Sequence, residues 1–186
     1  MRRPGWASLL LSVLLASPLP ALERLQTPDQ ALKNAYPLAA RFDGSQRTLS
    51  PAQLQWLKES RHRHPLSDQV RWVRALDAHG RWLGSALVDA ELGKHQPIDY
   101  QVAMDPAGKV IDVELLVYRE AYGGGVRSEH FRAQFKGKES GAALQLGQDL
   151  DAVSGATISS RTFADGVAKA LRLFQDFESP APTAKP

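Results

Sequence analysis

Ile98, Tyr100, Val102 and Met104 alternate with polar or small residues, and Ile111, Val113, Leu115 and Val117 alternate again against Asp112 and Glu114. A period of two puts each set on one face of a strand. Between them, Asp105-Pro106-Ala107-Gly108 is turn chemistry, with proline fixing one dihedral and glycine ending the turn. The two runs predict a β-hairpin. Upstream, Gln69 to Leu76, carrying Val70 and Trp72, and Arg81 to Leu92 read as two more strands about the turn Ala78-His79-Gly80. Consecutive strands with short connections predict an antiparallel meander with one packed face and one wet face.

Helices are predicted on either side. Thr27-Pro28-Asp29-Gln30 and Ser50-Pro51-Ala52-Gln53 share a capping hydroxyl, a proline at the first helical position and a glutamine placed for a capping box. Leu32 with Ala35, and Leu54 with Leu57, supply their apolar faces, and the stretch around Asp43 and Gly44 between them reads as a loop. Arg61-His62-Arg63-His64-Pro65 ends the second helix as a charged turn, where the arginines oppose a metal cation. Near the other end, Phe163, Val167, Ala170, Leu171 and Phe174 recur at helical spacing and make one apolar stripe. Helices outside an antiparallel sheet define an α+β fold, expected here as a single domain. The expected organisation is a signal peptide over residues 1–21, an N-terminal helical segment over 22–66, a ligand-binding domain over 67–177 and a disordered tail over 178–186, where Pro180 to Pro186 is polar and proline-rich.

The leader is expected from Arg2 and Arg3, the apolar run Leu9 to Leu15, and the small and helix-breaking residues Ala16 to Ala21. It places the folded part outside the cytosol, in the periplasm, anchored to the membrane if the leader stays uncleaved. Losing Arg2 and Arg3 takes the 23 basic residues to 21 against 20 acidic ones. With no basic stripe interleaved with aromatics, the charge pattern argues against nucleic acid. Cysteine is absent. That excludes a disulfide scaffold, a lipoprotein, a c-type haem carrier and an iron–sulfur protein, so any redox chemistry needs another cofactor.

Three stretches carry candidate chemistry. Tyr122-Gly123-Gly124-Gly125 lets backbone approach something flat and bulky, although it matches neither a phosphate loop nor a dinucleotide fingerprint; a mobile loop is the plain reading. Phe131 to Lys138 interleaves Phe131 and Phe135 with Arg132, Lys136 and Lys138, as an anion site or a solvated helix end would. Asp151-Ala152-Val153-Ser154-Gly155-Ala156-Thr157 immediately precedes the terminal helix. Gly155 permits a tight turn, Ala156 leaves room beside Thr157, and the amides of Ile158, Ser159 and Ser160 are helix-start donors suited to phosphate. The alternative is an ordinary serine or threonine cap.

The pattern Asp-x-x-Ser-Gly-Ala-Thr resembles the flavinylation motif of the FMN-binding domain family, which includes the FMN-bearing subunits of sodium-translocating NADH:quinone reductase and of Rnf electron-transport complexes. The likeness runs roughly from Gln69 to Phe174 and takes in Tyr118-Arg119-Glu120 and Gln134-Phe135-Lys136-Gly137-Lys138. The resemblance implies that Thr157 is esterified to the phosphate of FMN by a separate transferase that uses FAD and magnesium. It implies a membrane redox protein as partner, with Ser154, Gly155, Ala156, Ile158 and Ser159 around the phosphate and Asp151 helping the transferase. Glu120, Tyr122, Gly123, Gly124 and Gly125 are the candidate contacts to the isoalloxazine. No histidine lies within the motif, so an external enzyme rather than self-attachment is expected. Two other classes remain open: an exported binding module whose Ser-Gly-Ala-Thr is only a cap, and a hydrolase using Ser154 or Thr157 with His130 as base.

Overall fold

The computed structural model describes residues 23–61 and 65–178; the expected leader, the His62 and His64 turn and the tail beyond Glu178 lie outside them. Six antiparallel strands, β1 (Glu23–Arg24), β2 (Arg41–Thr48), β3 (Gln69–Leu76), β4 (Trp82–Leu92), β5 (Pro97–Met104) and β6 (Val110–Tyr118), form one sheet in the order β1-β6-β5-β4-β3-β2. The helices are α1 (Pro28–Ala35), α2 (Pro51–Arg61), α3 (Glu129–Ala133) and α4 (Thr157–Glu178), with a 3-10 turn at Gly124–Arg127. This is the expected α+β meander with flanking helices.

The helix starts obey their sequence. Thr27 Oγ1 accepts from the Gln30 amide at 3.2 Å. At α2 the capping box closes both ways: the Gln53 amide donates to Ser50 Oγ at 3.3 Å, and the Ser50 amide donates to Gln53 Oε1 at 2.8 Å. The stripe of α4 packs as expected, with Phe163, Val167, Ala170, Leu171 and Phe174 all buried. Gly166 allows that packing, because a Cβ there would sit 2.6 Å from the ring of Tyr100.

Three expectations need correction. The stretch around Asp43 and Gly44 is the edge strand β2, paired with β3 from Arg41↔Leu76 to Thr48↔Gln69. Its side chains are mostly exposed, so backbone pairing rather than burial makes it a strand and no apolar alternation announces it. The second sheet face is covered too. Leu32 of α1 and Tyr36, which caps its end, pack on Val73, Ala75, Ala86 and Ala103, whose small side chains let the helix come close. The Tyr36 hydroxyl lies 2.7 Å and 2.8 Å from the carbonyls of Ser85 and Met104, and accepts from the Met104 amide at 3.0 Å. Finally, the strict alternation of β6 breaks at both ends. Register shifts against β5, at Ala103/Met104 and at Asp99/Tyr100, turn Val110 and Tyr118 into the main core in place of Ile111 and Val117.

Between α4 and β4 lies a buried charge cluster. Lys169 is 1% exposed, and its Nζ lies 2.6 Å from both Asp89 Oδ2 and Glu91 Oε1. Burial pulls the Lys169 pKa down, but the charges of Glu91 and Asp89 outweigh it and leave the value above the ordinary lysine range. The stability it contributes is therefore full below the pKa of an unfolded lysine and is lost only as pH rises through the folded value. Lys169→Met should cost about 3–5 kcal/mol in urea unfolding at neutral pH, because it removes the buried cation between Asp89 and Glu91. Adding Asp89→Asn and Glu91→Gln should recover much of that loss. A single variant as stable as the wild type would show that the cluster does not hold the helix.

Candidate functional site

The antiparallel order brings three segments to one end of the sheet: the β4–β5 turn at 93–96, the chain leaving β6 at 119–123, and the start of α4. Thr162 Oγ1 donates to the Leu92 carbonyl at 3.3 Å and draws the helix start to that end. The bulge near Leu116 turns Tyr118 inward. Its hydroxyl donates to the Tyr122 carbonyl at 2.6 Å and lies 3.0 Å from Ser159 Oγ, which is left to donate to it. Burial raises the Tyr118 pKa above that of a free phenol, with the Ser159 bond opposing the shift. The phenol stays protonated and keeps its bond to the Tyr122 carbonyl. Gly123, at φ +83°, fits only without a side chain: a Cβ would lie 2.8 Å from both Ser159 Oγ and the Tyr118 hydroxyl.

Glu120 ties the second segment to the first. Its Oε1 accepts from the backbone amides of His95 at 2.6 Å and Gln96 at 3.1 Å. The turn closes on itself through the Gly93 amide to the Gln96 carbonyl at 2.9 Å. A Cβ on Gly93 would meet Glu120 Oε1 at 2.7 Å and the Gln96 carbonyl at 3.0 Å, so a side chain there would push the carboxylate off the turn. Next to it, Arg119 forks onto Asp99 at 2.6 and 2.8 Å and donates to the Pro97 carbonyl at 3.0 Å. The Asp99 bond holds the Arg119 pKa above its usual value.

The loop over 151–156 ends in a turn in which Gly155 takes φ +71° and the Ala156 amide bonds the Val153 carbonyl at 2.9 Å. Helical bonding begins with the Ser160 amide to the Ala156 carbonyl at 2.8 Å. The amides of Thr157, Ile158 and Ser159 thus have no backbone acceptor, and among the described residues neither Thr157 Oγ1 nor Ser154 Oγ makes a hydrogen bond. The helix is not side-chain capped in the ordinary way. Donors that a cap would satisfy instead open on a cleft of about 460 Å³.

Of the residues singled out from the sequence, Gly155, Ala156, Thr157, Ile158 and Ser159 line this cleft together with Glu120, Tyr122 and Gly123. Gly124 and Gly125 stand behind it. A Cβ on Gly125 would meet Val153 Cγ1 at 2.4 Å, so this glycine lets the 3-10 turn press against the loop before α4. Asp151 and Ser154 are outside the lining, and Asp151 is held by its backbone amide, which donates to Gln134 Oε1 at 2.6 Å. Glu120 serves first as the clamp on the turn. His130 is absent from the lining, which removes the base of the hydrolase reading. Lys94 and His95 are present, and the sequence reading missed them. Once the strand order is known, a two-strand turn beside the end of β6 is the signal that finds them.

Phe131 to Lys138 is neither an anion site nor a solvated helix end. Phe131 and Phe135 are buried, with ring centroids 5.9 and 5.5 Å from Phe163. Their basic neighbours are paired: Arg132 with Glu114, Lys136 with Asp112 at 3.6 Å and Lys138 with Asp149 at 3.1 Å. Among the described residues no group of three His, Asp or Glu can hold a metal, and no helix is long and apolar enough to cross a membrane.

An α+β domain that offers an exposed threonine hydroxyl and three free helix-start amides to one cleft has the donor set of a phosphate-holding site. The exposed Tyr122 and Ile158 at its rim, 86% and 48% accessible, suit a flat apolar ring beyond the phosphate. Residues 93–172 match the family model of the FMN-binding domain, and the resemblance read from the threonine motif holds over that segment. A component of the proton-translocating ferredoxin:NAD(+) oxidoreductase complex of Clostridium ljungdahlii is 33% identical over 87 residues, covering 43% of this chain and 47% of that protein. The chain therefore matches about half the length of this curated relative. The crystal structure of Shewanella oneidensis NqrC aligns at 16% identity with a TM-score of 0.48, covering 77% of this chain and 86% of that one.

The clamp on the 93–96 turn can be tested without any ligand. Glu120→Ala should raise the hydrogen-exchange rates of the His95 and Gln96 amides by roughly 10- to 100-fold, as expected for losing bonds to a charged acceptor. Unchanged exchange would mean that the turn is held from elsewhere.

Proposed function

We propose that this domain carries one FMN, joined by a phosphoester to Thr157 Oγ1, and passes electrons to or from a membrane-associated redox partner. The observation that carries the reading is the unengaged Thr157 hydroxyl beside the three free amides of the α4 start, in an open cleft. The family match over residues 93–172 supports FMN as the ligand. The Clostridium relative belongs to an oxidoreductase complex, which supports the partner class.

Bound FMN supplies the redox chemistry; the protein supplies position and electrostatics. Thr157 Oγ1 is the point of attachment. A diester there retains one negative charge, which the amides of residues 157–159 and the positive end of α4 favour. The Tyr118–Ser159 contact fixes the helix start, and Glu120 fixes the facing wall. No hydrogen bond links His95 to Thr157 among the described residues, which supports activation of the hydroxyl by an external enzyme. In that step Thr157 Oγ1 displaces AMP from FAD, its proton leaving to solvent or to the transferase, with magnesium on the transferase. The leader over residues 1–21 would deliver the domain to the periplasm, where a covalent bond keeps the flavin at high effective concentration.

Intact-mass measurement on protein purified from the periplasm should show an excess of one FMN less one water. Thr157→Ala should fold, with far-ultraviolet circular dichroism like the wild type, and carry no covalent flavin. Thr157→Ser should retain part of the loading, since the oxygen nucleophile is kept. Flavin that stays on Thr157→Ala through denaturation would overturn the assignment.

A further inference from the structure

We infer that the clamped turn Gly93-Lys94-His95-Gln96 is the cationic wall of the cleft, and that Lys94, with His95 beside it, counters the negative charge the isoalloxazine gains on reduction. The inference rests on covalent FMN at Thr157. Lys94 and His95 line the cleft whose other side is the α4 start, so a ring tethered at Thr157 and lying in the cleft faces them. Among the described residues Lys94 has no ion-pair partner, unlike Lys136, Lys138 and Lys169.

A lone surface lysine contributes little because its chain must be ordered before its charge acts. Here the backbone beneath it is already ordered. Glu120 Oε1 holds the amides of His95 and Gln96, the Gly93 amide closes the turn, and the Arg119–Asp99 fork pins the strands on either side. Glu120 supplies the one carboxylate of the lining, and its Oε1 is engaged by those two amides. The charges of Lys94 and, when protonated, of His95 therefore face the cleft against a single carboxylate already bonded to backbone.

The chemistry asks for such a wall. Two electrons from the redox partner, entering with one proton, leave the ring one unit more negative than before. The phosphodiester at the α4 start already places one negative charge in the same cleft. Lys94 offsets the added charge and makes reduction more favourable than in the same cleft without it.

The test uses the flavin-loaded protein, its covalent FMN verified by intact mass, titrated with dithionite against a reference dye. Lys94→Gln should lower the reduced-to-oxidised ratio at a fixed potential about tenfold, which is roughly 30 mV for a two-electron couple. Lys94→Glu should lower it further and Lys94→Arg should stay near the wild type. Raising the salt from low concentration to about 1 M should shrink these differences by screening. Fully loaded Lys94→Gln that titrates like the wild type would overturn the inference and leave Thr157 attachment standing. A fall in Lys94→Arg as large as in Lys94→Gln would overturn it too, because shape rather than charge would be responsible. Wild-type protein without covalent flavin would bring down both readings.

Discussion

The ammonium of Lys169 decides where α4 lies along the sheet, and the place of Thr157 follows from it. A buried lysine flanked by two carboxylates of β4 opposes sliding of the helix, because a shift of one turn would part the ammonium from both carboxylates in a dry layer. With a rise of about 1.5 Å per residue, the helix start lies roughly 18 Å from that clamp. It ends where the β4–β5 turn and the end of β6 already meet. At the far end Glu178 accepts from Trp72 Nε1 at 2.6 Å and Ser85 Oγ at 2.7 Å and pairs with Arg74, so both halves of the helix are registered by polar contacts. Burial raises the Glu178 pKa, but the bonds from Arg74, Trp72 and Ser85 outweigh it and leave the carboxyl below the ordinary range. Its contribution is thus present above the unfolded carboxylate pKa and lost as pH falls through the folded one.

Apolar periodicity made the centre of the fold legible. Gln69–Leu76 is a strand over the span the pattern marked, and the Phe163 to Phe174 stripe is the buried face of α4. The misses share a physical cause, which is that periodicity reports burial and not pairing. The edge strand β2 is held by backbone bonds under exposed side chains, so Arg41 to Thr48 looked like a loop. The sheet face expected to be wet is covered instead, with the alanines at 75, 86 and 103 as the floor beneath α1. Phe131 and Phe135 sat among basic residues and looked solvated; the carboxylates that pair those bases lie on β6 and in the 144–150 loop, remote in sequence.

The site was legible through a different channel. Thr157 came from a motif and its likeness to a family, while physical reasoning alone left it level with a common helix cap. The glycine run was visible as an oddity, but its division of labour needed coordinates. Gly123 makes room for the Tyr118–Ser159 contact, and Gly125 makes room for Val153. Lys94 and His95 carried no motif at all. Their significance comes from the antiparallel order, which sets a turn carrying a lysine and a histidine opposite a helix start some sixty residues away in sequence.

Thr157 stands on the surface of a finished fold, and its three free amides exist only once α4 has formed in its proper place. The wall opposite needs Glu120 to have found the 93–96 turn, and the helix start needs Tyr118 to have found Ser159. An enzyme that recognises the threonine in that setting inspects tertiary structure drawn from three separate stretches of chain. On the proposed reading, covalent flavin then works as a stamp of inspection. Misfolded copies would stay unmarked and colourless, and the ratio of flavin to polypeptide would record what fraction of the chains had reached the native state when the enzyme met them.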